Sequence, residues 1–493
     1  MKRLAVLAAT LLAITACSSQ PKETAAAQAP ARDAAAITVT SKSPEAVEHL
    51  KKGQELFDNL RTTEAATEFD RAIKLDGEFA LAHAYHGLST PGPDGLKEIE
   101  AAAAAAGSLP EPERVLIESA AAVRRGEQAK ATAALVRLTE LAPGDWRAHY
   151  LLGQQLLTNQ KYSEAVSALK KATSLNANAG GAQNMLGYAA LRQGDANGAI
   201  AAFEQYVRIM PQEPNPQDSL GEALLGAGRF KESEAAFQKA LELSPDFWTA
   251  HEGIAYARLY AGDWTGGREA LNKAKTTATQ RTDKISVDDE LAAVAIAQHD
   301  TKAALRILDG IEKTAGAEPS EIAFVPLRRA FVMNDAGRPR EALAPIGVVL
   351  KTADGGQVGT GLARSLRRQA LVARIGAETQ LKDVEAATKT SAELDAAASA
   401  DAGDPVTQSA MHYGRGMVAL VKGDIPAARA HFDQCSAEDA RCKWQGVVTA
   451  EKAGDKVGAD AARAQQLKIY ARDPLALVVR ARLSPQAVKH MTD

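Results

Sequence analysis

The chain has 493 residues, of which 46% are hydrophobic and 24% are charged, a balance typical of soluble folded proteins and not of disordered ones. Lysine and arginine number 58 against 61 aspartates and glutamates, so the formal net charge is -3. A charge this close to neutral gives no general attraction to nucleic acids or anionic lipids, and we expect no nucleic-acid partner.

Residues 1–16 have the layout of a secretory signal peptide. Met1–Arg3 is positively charged, and the uncharged stretch Leu4–Thr15 is shorter than the roughly 20 residues that a bilayer span needs. The segment Ile14–Cys17 resembles the lipobox of bacterial lipoproteins, in which small residues precede an invariant cysteine. This resemblance implies that Cys17 becomes the lipidated first residue of the mature protein. The serine after it favours the outer membrane, since retention at the inner membrane often uses aspartate there.

The next segment is predicted to be a flexible tether. Residues 18–41 are rich in alanine, serine, threonine, proline and glutamine and show no apolar periodicity. We therefore assign residues 17–42 to the lipidated cysteine and its tether. Flexible-chain scaling gives a mean reach of about 25 to 30 Å. The folded body is expected to lie in the periplasm, at the inner face of the outer membrane.

A 34-residue repeat follows the tether. Glycines recur at this interval at Gly53 and Gly87, and again at Gly153, Gly187 and Gly221. Other positions keep the same interval: Leu152, Leu186 and Leu220, then Ala165, Ala199 and Ser233, then Phe203 and Phe237, and finally Pro211 and Pro245. Small residues permit two antiparallel helices to cross closely, large apolar residues fill their seam, and proline ends the second helix. Each repeat is therefore predicted to be a helix pair.

The period and these residues resemble the tetratricopeptide repeat (TPR) family, best over residues 146–247 and recognisably over 46–79. The resemblance implies an all-α fold, a TPR-like α-solenoid of stacked antiparallel helix pairs. We assign residues 43–283 to an N-terminal TPR array. Degenerate repeats are predicted within it at 110–144 and 248–279, where only part of the pattern remains.

The rest of the chain departs from this pattern in three places. An insertion near 88–111 is expected to interrupt the array, with Ala101–Ala106 as a helical filler. Residues 284–402 are predicted to form divergent helical repeats, which end in two longer helices. Residues 403–493 are assigned to C-terminal TPR-like repeats and a capping helix at Pro474–Met491. The markers of these last repeats are Gly416, Gly423, Ala428 and Phe432, at the spacing of the earlier array.

Two cysteines remain after Cys17, at Cys435 and Cys442. A turn between two predicted helices can bring them together, and in an oxidising periplasm a disulfide is the natural interpretation. A loop this short would stabilise the fold by about 2 to 3 kcal/mol. The alternative is a zinc site that also uses His431, but a fourth ligand is not evident and the spacing is not a recurrent zinc pattern. We expect no metal site and no cofactor.

The sequence gives little indication of catalysis. It contains no G-x-x-x-x-G-K-[ST] phosphate loop, no G-x-S-x-G nucleophile elbow and no H-E-x-x-H motif. His49, His83, His149 and His251 share the fourth place of their repeats, where a large ring usually packs on the neighbouring helix. The acidic run Asp288–Glu290 is interpreted as the start of a helix, where acids complement the dipole. We therefore expect that the chain is not an enzyme.

The concave wall of such a solenoid is formed by the first helix of each repeat and is the usual binding surface. The TPR resemblance places the ligand groove at the second, fifth, ninth, twelfth and thirteenth positions of these helices. Here these are Arg147, Tyr150, Gln154, Asn184, Tyr188, Arg192, Asp218, Glu222, Glu252, Tyr256 and Tyr260. Tyrosines suit peptide or glycan strands, and the acids point to a partner with basic groups. These positions carry no lysine, so we do not expect this groove to be a clamp for peptide carboxylates. A merely solvated face is the alternative.

These observations predict a noncatalytic interaction scaffold or adaptor, anchored in the bacterial outer membrane and facing the periplasm. Its partner would be a protein or peptide held in the concave groove. Comparable lipoproteins serve secretion, pilus, outer-membrane protein or polysaccharide export machinery, and the sequence does not choose between them. One alternative is a protein that binds a cell-wall glycan or a small ligand. Another is a regulator of a wall-synthesis enzyme.

Overall fold

The computed structural model describes residues 36–59, 61–314, 318–356, 358–399, 403–436 and 439–484. The predicted signal peptide, Cys17 and most of the predicted tether lie outside these residues. Within them, the regular structure is helical. The helices are α1 (Pro44–Asp58), α2 (Thr62–Leu75), α3 (Ala80–Ser89), α4 (Gly92–Ala105), α5 (Glu111–Arg124), α6 (Gln128–Leu141), α7 (Trp146–Thr158), α8 (Tyr162–Leu175), α9 (Gly180–Gln193), α10 (Ala196–Ile209), α11 (Pro214–Gly226), α12 (Phe230–Leu243), α13 (Trp248–Ala261), α14 (Trp264–Thr277), α15 (Arg281–Ala297), α16 (Thr301–Glu312), α17 (Pro319–Ile322), α18 (Val325–Asp335), α19 (Pro339–Asp354), α20 (Thr360–Gln380), α21 (Val384–Ala398), α22 (Pro405–Val421), α23 (Ile425–Phe432), α24 (Ala440–Lys452), α25 (Lys456–Gln466) and α26 (Pro474–Leu483).

These helices form stacked antiparallel pairs. From α1 to α16, each helix packs against the next along the chain, and each first helix also meets the second helix of the preceding pair. The pairing continues in α18–α19, α20–α21, α22–α23 and α24–α25. The predicted all-α TPR-like solenoid is confirmed. None of the described helices is both long and apolar enough to cross a membrane.

The repeated glycines lie where the two helices of a pair cross most closely. A Cβ atom added at Gly187 would lie 2.5 Å from the ring of Phe203, and one at Gly153 would lie 2.5 Å from Leu169. Both of these large side chains are fully buried. Only a residue without a side chain fits at this crossing, because protein interiors are packed too tightly to absorb a carbon at such a distance. This explains why the glycine keeps the 34-residue interval.

The helix ends follow from local side-chain chemistry. Pro211 and Pro245 each come two residues after the end of α10 and α12, respectively, as the sequence predicts. Aspartates cap several second helices, and Asp195, for example, accepts a hydrogen bond from the Gly198 amide at 2.8 Å. Gly194 ends α9 with a φ of 86°, a left-handed conformation that favours glycine.

The segment expected to interrupt the array instead forms a regular helix pair. Residues 92–105 are helix α4, which packs against α3 on one side and α5 on the other. A Cβ atom at Gly87 would lie 2.6 Å from the Gly95 carbonyl oxygen and 2.7 Å from Ile99, so α3 and α4 also cross closely at a glycine. The prolines that suggested an interruption lie at Pro91, Pro93 and Pro110, at the ends of α4 and α5, where proline is compatible with a helix.

The last residues of the predicted tether lie against the folded body. The Ile37 amide donates to Asp145 Oδ2 at 3.0 Å, and the Thr40 amide donates to Glu113 Oε1 at 3.1 Å. Ile37 and Val39 are partly buried against the first hydrophobic cluster, while alternate residues are exposed. This alternation is that of an extended strand-like segment with one face covered. Residues 37–42 thus belong to the folded body, although the sequence assigned them to the tether.

The chain also makes contacts between distant repeats. Helix α26 packs against α15 as well as α24, so the predicted cap does not simply extend the stack. At the other end, α1 approaches α9. Both contacts place chain segments beside the first helices of the central repeats, which carry the predicted groove.

Candidate functional site

The residues predicted to line the groove lie on the first helices of four consecutive pairs, α7, α9, α11 and α13. Five of the eleven are buried and five are partly buried. The exposed fraction is 3% for Tyr150, 2% for Asn184, 5% for Asp218 and 1% for Tyr256. Arg192, by contrast, is exposed in the last turn of α9. The structure thus shows a groove that the chain itself occupies.

The end of the groove on α7 is covered by the end of α1. The Arg147 Nε atom forms an ion pair with Asp58 Oδ2 at 3.2 Å, and the Tyr150 hydroxyl accepts from Gln154 Nε2 at 2.9 Å. A Cβ atom at Gly181 would lie 2.2 Å from the Asp58 carbonyl oxygen, so only glycine allows this approach. Burial raises the pKa of Asp58 to about 6, against the opposing effect of the arginine. This part of the predicted groove is an internal contact.

The middle of the groove is a small hydrogen-bonded network between α9 and α11. Ser219 Oγ donates to Asn184 Oδ1 at 3.4 Å, and the Tyr188 hydroxyl lies 3.2 Å from Ser219 Oγ. Tyr188 also donates to Glu222 Oε2 at 3.4 Å. Burial raises the pKa of Tyr188 above its usual range, and the nearby carboxylate of Glu222 adds to this. The network holds Glu222 at the edge of the acidic end.

The acidic end of the groove holds an arginine from the C-terminal part of the chain. Arg472 Nη2 lies 3.0 Å from Asp218 Oδ2 and 3.0 Å from Glu222 Oε2. Its Nη1 atom donates to the Thr249 carbonyl oxygen at 3.2 Å. The guanidinium also lies over the Phe237 ring, 5.4 Å from its centroid. The basic group that the acids of this groove suggested is thus present within the same chain.

Two further carboxyls lie beside this ion pair. Glu252 and Glu290 share a hydrogen bond, and both are influenced by the charge of Arg472. Burial raises the pKa of Glu290, and the neighbouring Glu252 carboxylate raises it further. The Oε2 atom of Glu290 and the hydroxyl of Tyr256 are buried without a hydrogen-bond partner. The acidic end therefore contains four carboxyls around one guanidinium.

Tyr260 binds the main chain beside Arg472. Its hydroxyl donates to the Ala471 carbonyl oxygen at 2.7 Å, and the Ala471 amide lies 3.3 Å from the same hydroxyl. The Tyr470 ring packs edge-on against Tyr260 and Phe230, with centroid separations of 5.4 and 4.9 Å. We call residues 469–473, which lie between α25 and α26, the C-terminal insert.

The sequence did not point to the C-terminal insert or to Glu290. Arg472 was assigned with the C-terminal repeats as a whole, although the following Asp473–Pro474 dipeptide is a signal for extended backbone. Asp288–Glu290 was interpreted as a helix start, but α15 begins at Arg281 and places these acids in its middle. No local pattern links Arg472 to Asp218, because the two are far apart in the chain.

The predicted cysteine pair is joined in the structure. Cys435 and Cys442 form a disulfide with a Cα separation of 6.3 Å, next to the turn between α23 and α24. The third residue of the alternative zinc site, His431, lies with its Nδ1 atom 3.3 Å from His412 Nδ1. Within the described residues, no group of three or more histidine, cysteine or acidic side chains has the arrangement of a metal site.

The repeated histidines make hydrogen bonds within or next to their own helix pairs. His49 Nδ1 lies 2.7 Å from Glu68, and His83 and His86 both contact Glu98, at 3.0 and 2.7 Å. His149 contacts the Pro143 carbonyl oxygen at 3.1 Å, and His251 is partly buried. These contacts are those of side chains that join helices of the solenoid.

Comparison with known proteins addresses the repeats directly. The tetratricopeptide repeat family model matches residues 119–172, 152–214 and 219–281. No curated protein matches the chain.

Solved structures of moderate size also resemble parts of the chain. MamA from Desulfovibrio magneticus RS-1 is 22% identical over 34% of this chain and 94% of its own, with a TM-score of 0.32. YrrB, described as a TPR protein with an unusual peptide-binding site, is 18% identical over 42% of this chain and 91% of its own, with a TM-score of 0.29. PilF of Pseudomonas aeruginosa is 15% identical over 43% of this chain and 95% of its own, with a TM-score of 0.33.

The family match covers helices α7 to α14, which carry the 34-residue period and the glycine contacts described above. It also covers every residue of the predicted groove except Asp218, because residues 215–218 of α11 lie outside the match. Solenoids of stacked helix pairs present extended concave surfaces that bind other molecules. The central part of this chain is built of tetratricopeptide repeats.

Proposed function

We propose that this chain is a noncatalytic interaction scaffold, anchored by a lipid at Cys17 in the bacterial outer membrane and facing the periplasm. It would hold a peptide or protein partner in an envelope assembly, such as secretion, pilus, outer-membrane protein or polysaccharide export machinery. The proposal combines the lipobox resemblance of Ile14–Cys17 with the repeat architecture of the folded body.

The observation that carries the proposal is the surface formed by α11 and α13. Side chains from both helices converge there on an extended piece of polypeptide, the C-terminal insert. Asp218 and Glu222 bind its arginine, and Tyr260 binds its main chain. A surface that binds main-chain and side-chain groups of an extended segment has the features that peptide recognition requires.

The position of the scaffold relative to the membrane follows from the tether. Ile37 lies against the body, which leaves residues 18–36 of the predicted tether between Cys17 and the body. Flexible-chain scaling gives this part a mean reach of about 25 Å. The body would therefore stay close to the membrane, within reach of envelope partners.

The scaffold function is tested by photocrosslinking in living cells. A photoreactive residue is introduced at Tyr188, in the groove, and as a matched control at Lys171, which is exposed on the second helix α8. We expect the same protein to be captured repeatedly from position 188 and not from position 171. Identical background at both positions would contradict the scaffold function of the groove.

The anchor is tested separately. Cys17→Ala should abolish metabolic labelling with palmitate and shift the protein from the membrane fraction to the soluble fraction, whereas Ser18→Ala should change neither. Unchanged lipid labelling in the Cys17→Ala variant would rule out the anchor and leave the scaffold function to be judged by crosslinking alone.

A further inference from the structure

We propose that the acidic end of the groove binds external peptides that carry an aromatic residue two positions before an arginine, followed directly by a second basic residue. The C-terminal insert occupies this site when no such peptide is present. This inference rests on the proposed scaffold function and names the chemistry of its partner. The evidence is the way in which the insert is bound and the groups that it leaves without a partner.

The arginine of the insert lies in a site built for a guanidinium. Arg472 has a side chain that is 14% exposed, and it bonds to two carboxylates and one carbonyl oxygen. The Phe237 ring below it adds a cation–π contact. Asp218 itself is 5% exposed, so this carboxylate would be left buried and unpaired without a cation. Any occupant of the site must therefore supply an arginine or a comparable cation.

The groove also recognises features that an unrelated peptide can supply. Tyr260 bonds to both the carbonyl and the amide of Ala471, and these are main-chain groups common to all peptides. The aromatic pocket formed by Phe230 and Tyr260 receives the Tyr470 ring. The groove thus contacts three consecutive residues of the insert: the aromatic ring of the first, the main chain of the second and the guanidinium of the third.

The insert does not satisfy the whole site. Glu290 is 7% exposed with Oε2 unbonded, and Tyr256 is 1% exposed with its hydroxyl unbonded. The next residue of the insert, Asp473, adds a further negative charge that acts on Tyr256 and Tyr260. Its carboxylate instead caps α26, by accepting from the Leu475 and Ala476 amides. A peptide with a basic residue at this position would bring a positive charge to the acidic end in place of this negative one.

These features make the insert a competitor that is present at high effective concentration but imperfectly matched. A covalently attached occupant lowers the apparent affinity of an external ligand in proportion to the fraction of molecules whose site is free. Weakening the insert without changing the groove should therefore strengthen external binding. Weakening the groove should abolish it.

The test uses fluorescence anisotropy with a labelled peptide of residues 468–473, in which arginine replaces the final aspartate. The labelled peptide is titrated with the unaltered chain, with the Arg472→Ala variant and with the double variant Asp218→Asn/Glu222→Gln. We expect Arg472→Ala to bind the peptide at least tenfold more tightly than the unaltered chain, and the double variant not to bind. The peptide with the original aspartate should bind at least threefold more weakly than the arginine peptide.

A second variant guards against misfolding, since Arg472→Ala leaves buried acids without their cation. Tyr470→Ser weakens the insert at its aromatic contact and exposes no buried charge, so it should also bind the peptide more tightly than the unaltered chain. Circular dichroism establishes that each variant is folded. If the unaltered chain and both insert variants bind the peptide with equal affinity, the insert does not compete with external peptides. If none of them binds the peptide, the proposed class of peptide ligand is wrong.

The outcome is separable from that of the scaffold function. If crosslinking at Tyr188 captures a partner while no protein binds these peptides, the scaffold stands and the proposed peptide class is wrong. If the peptides bind as expected but crosslinking captures nothing, the site chemistry stands and the scaffold function in cells is wrong.

Discussion

At the scale of single residues, the repeat is maintained by contacts that admit no side chain. A Cβ atom at Gly187 would lie 2.5 Å from the Phe203 ring, which is fully buried. A glycine in a helix otherwise costs about 1 kcal/mol relative to alanine. Its retention at this position is therefore explained by packing and not by flexibility.

Gly187→Ala should destabilise the protein, because overpacking of a core costs about 1 to 3 kcal/mol and exceeds the gain in helix propensity. The matched control is Gly310→Ala in α16, where an added Cβ atom would meet no atom within 4 Å. That change should stabilise by about 0.5 to 1 kcal/mol. Urea unfolding measures both. A shift in the same direction for both variants would contradict the packing argument.

Glu290 gives the acidic end of the groove a dependence on pH. Its pKa is raised from the ordinary 4.5 by burial, and by Glu252 next to it, so the folded state holds a proton that the unfolded chain releases. Arg472 acts in the opposite direction, while Asp289 adds to the increase. Because the folded state binds more protons, this group lowers stability progressively as pH rises above 4.5.

Glu290→Gln should remove that loss, since glutamine is neutral at every pH and has a similar shape. We expect the variant to be more stable than the unaltered chain by about 1 to 3 kcal/mol at pH 8, and by less at pH 5. The control is Glu269→Gln in α14, which replaces an exposed carboxylate and should change stability by less than about 0.5 kcal/mol. The measurement is the urea midpoint at the two pH values. An equal effect of Glu290→Gln at both would show that this carboxyl does not titrate differently in the folded state.

At the scale of helices and segments, the sequence predicted most elements because their signals are local. Proline after a helix and the glycine–phenylalanine spacing both act within about 34 residues. The segment 88–111 was misjudged because its prolines suggested an interruption, although each lies at a helix end. The extended residues 37–42 were missed because only four or five alternating positions carry their signal.

The extended residues 37–42 are held against the body by their covered face. Val39→Asp should release them, because a carboxylate cannot replace a valine against the first hydrophobic cluster. Trypsin should then cleave after Lys42 more rapidly, and the stability of the body should fall by about 1 kcal/mol. Thr38→Asp changes the neighbouring exposed position and should have neither effect. Equal cleavage rates for the two variants would indicate that the segment is not held by this face.

At the scale of the whole molecule, the contacts that define the site join residues that are remote in sequence. Asp58 and Arg147 are 89 positions apart, and Arg472 and Asp218 are 254 apart. A repeat pattern specifies neighbouring pairs but not the curvature that brings distant pairs together. The sequence therefore placed the predicted groove residues on first helices of neighbouring pairs, and the structure places a basic residue of the same chain, Arg472, against two of its acids. The sequence could not show that the chain's own residues occupy the groove.

Helix α26 links distant parts of the chain, and Arg482 joins this helix to two others. Its Nε atom donates to Asp335 Oδ1 in α18 at 2.8 Å, and Nη2 donates to the Ile296 carbonyl oxygen in α15 at 3.1 Å. The Arg482 side chain is 15% exposed, so this ion pair is shielded from solvent. It is therefore expected to contribute more than the usual exposed pair, which is worth about 0 to 1 kcal/mol.

Arg482→Ala should release α26 from α15 and, with it, the hold on the C-terminal insert that directly precedes the helix. The expected results are a larger radius of gyration in small-angle scattering and faster amide exchange at the end of α15. Arg463→Ala is the matched control, because its two acidic partners, Glu451 and Asp460, lie within α24 and α25. If both variants scatter like the unaltered chain, α26 is held by its apolar contacts alone. Expansion only in Arg482→Ala would show that this ion pair holds α26, and with it the C-terminal insert, in place.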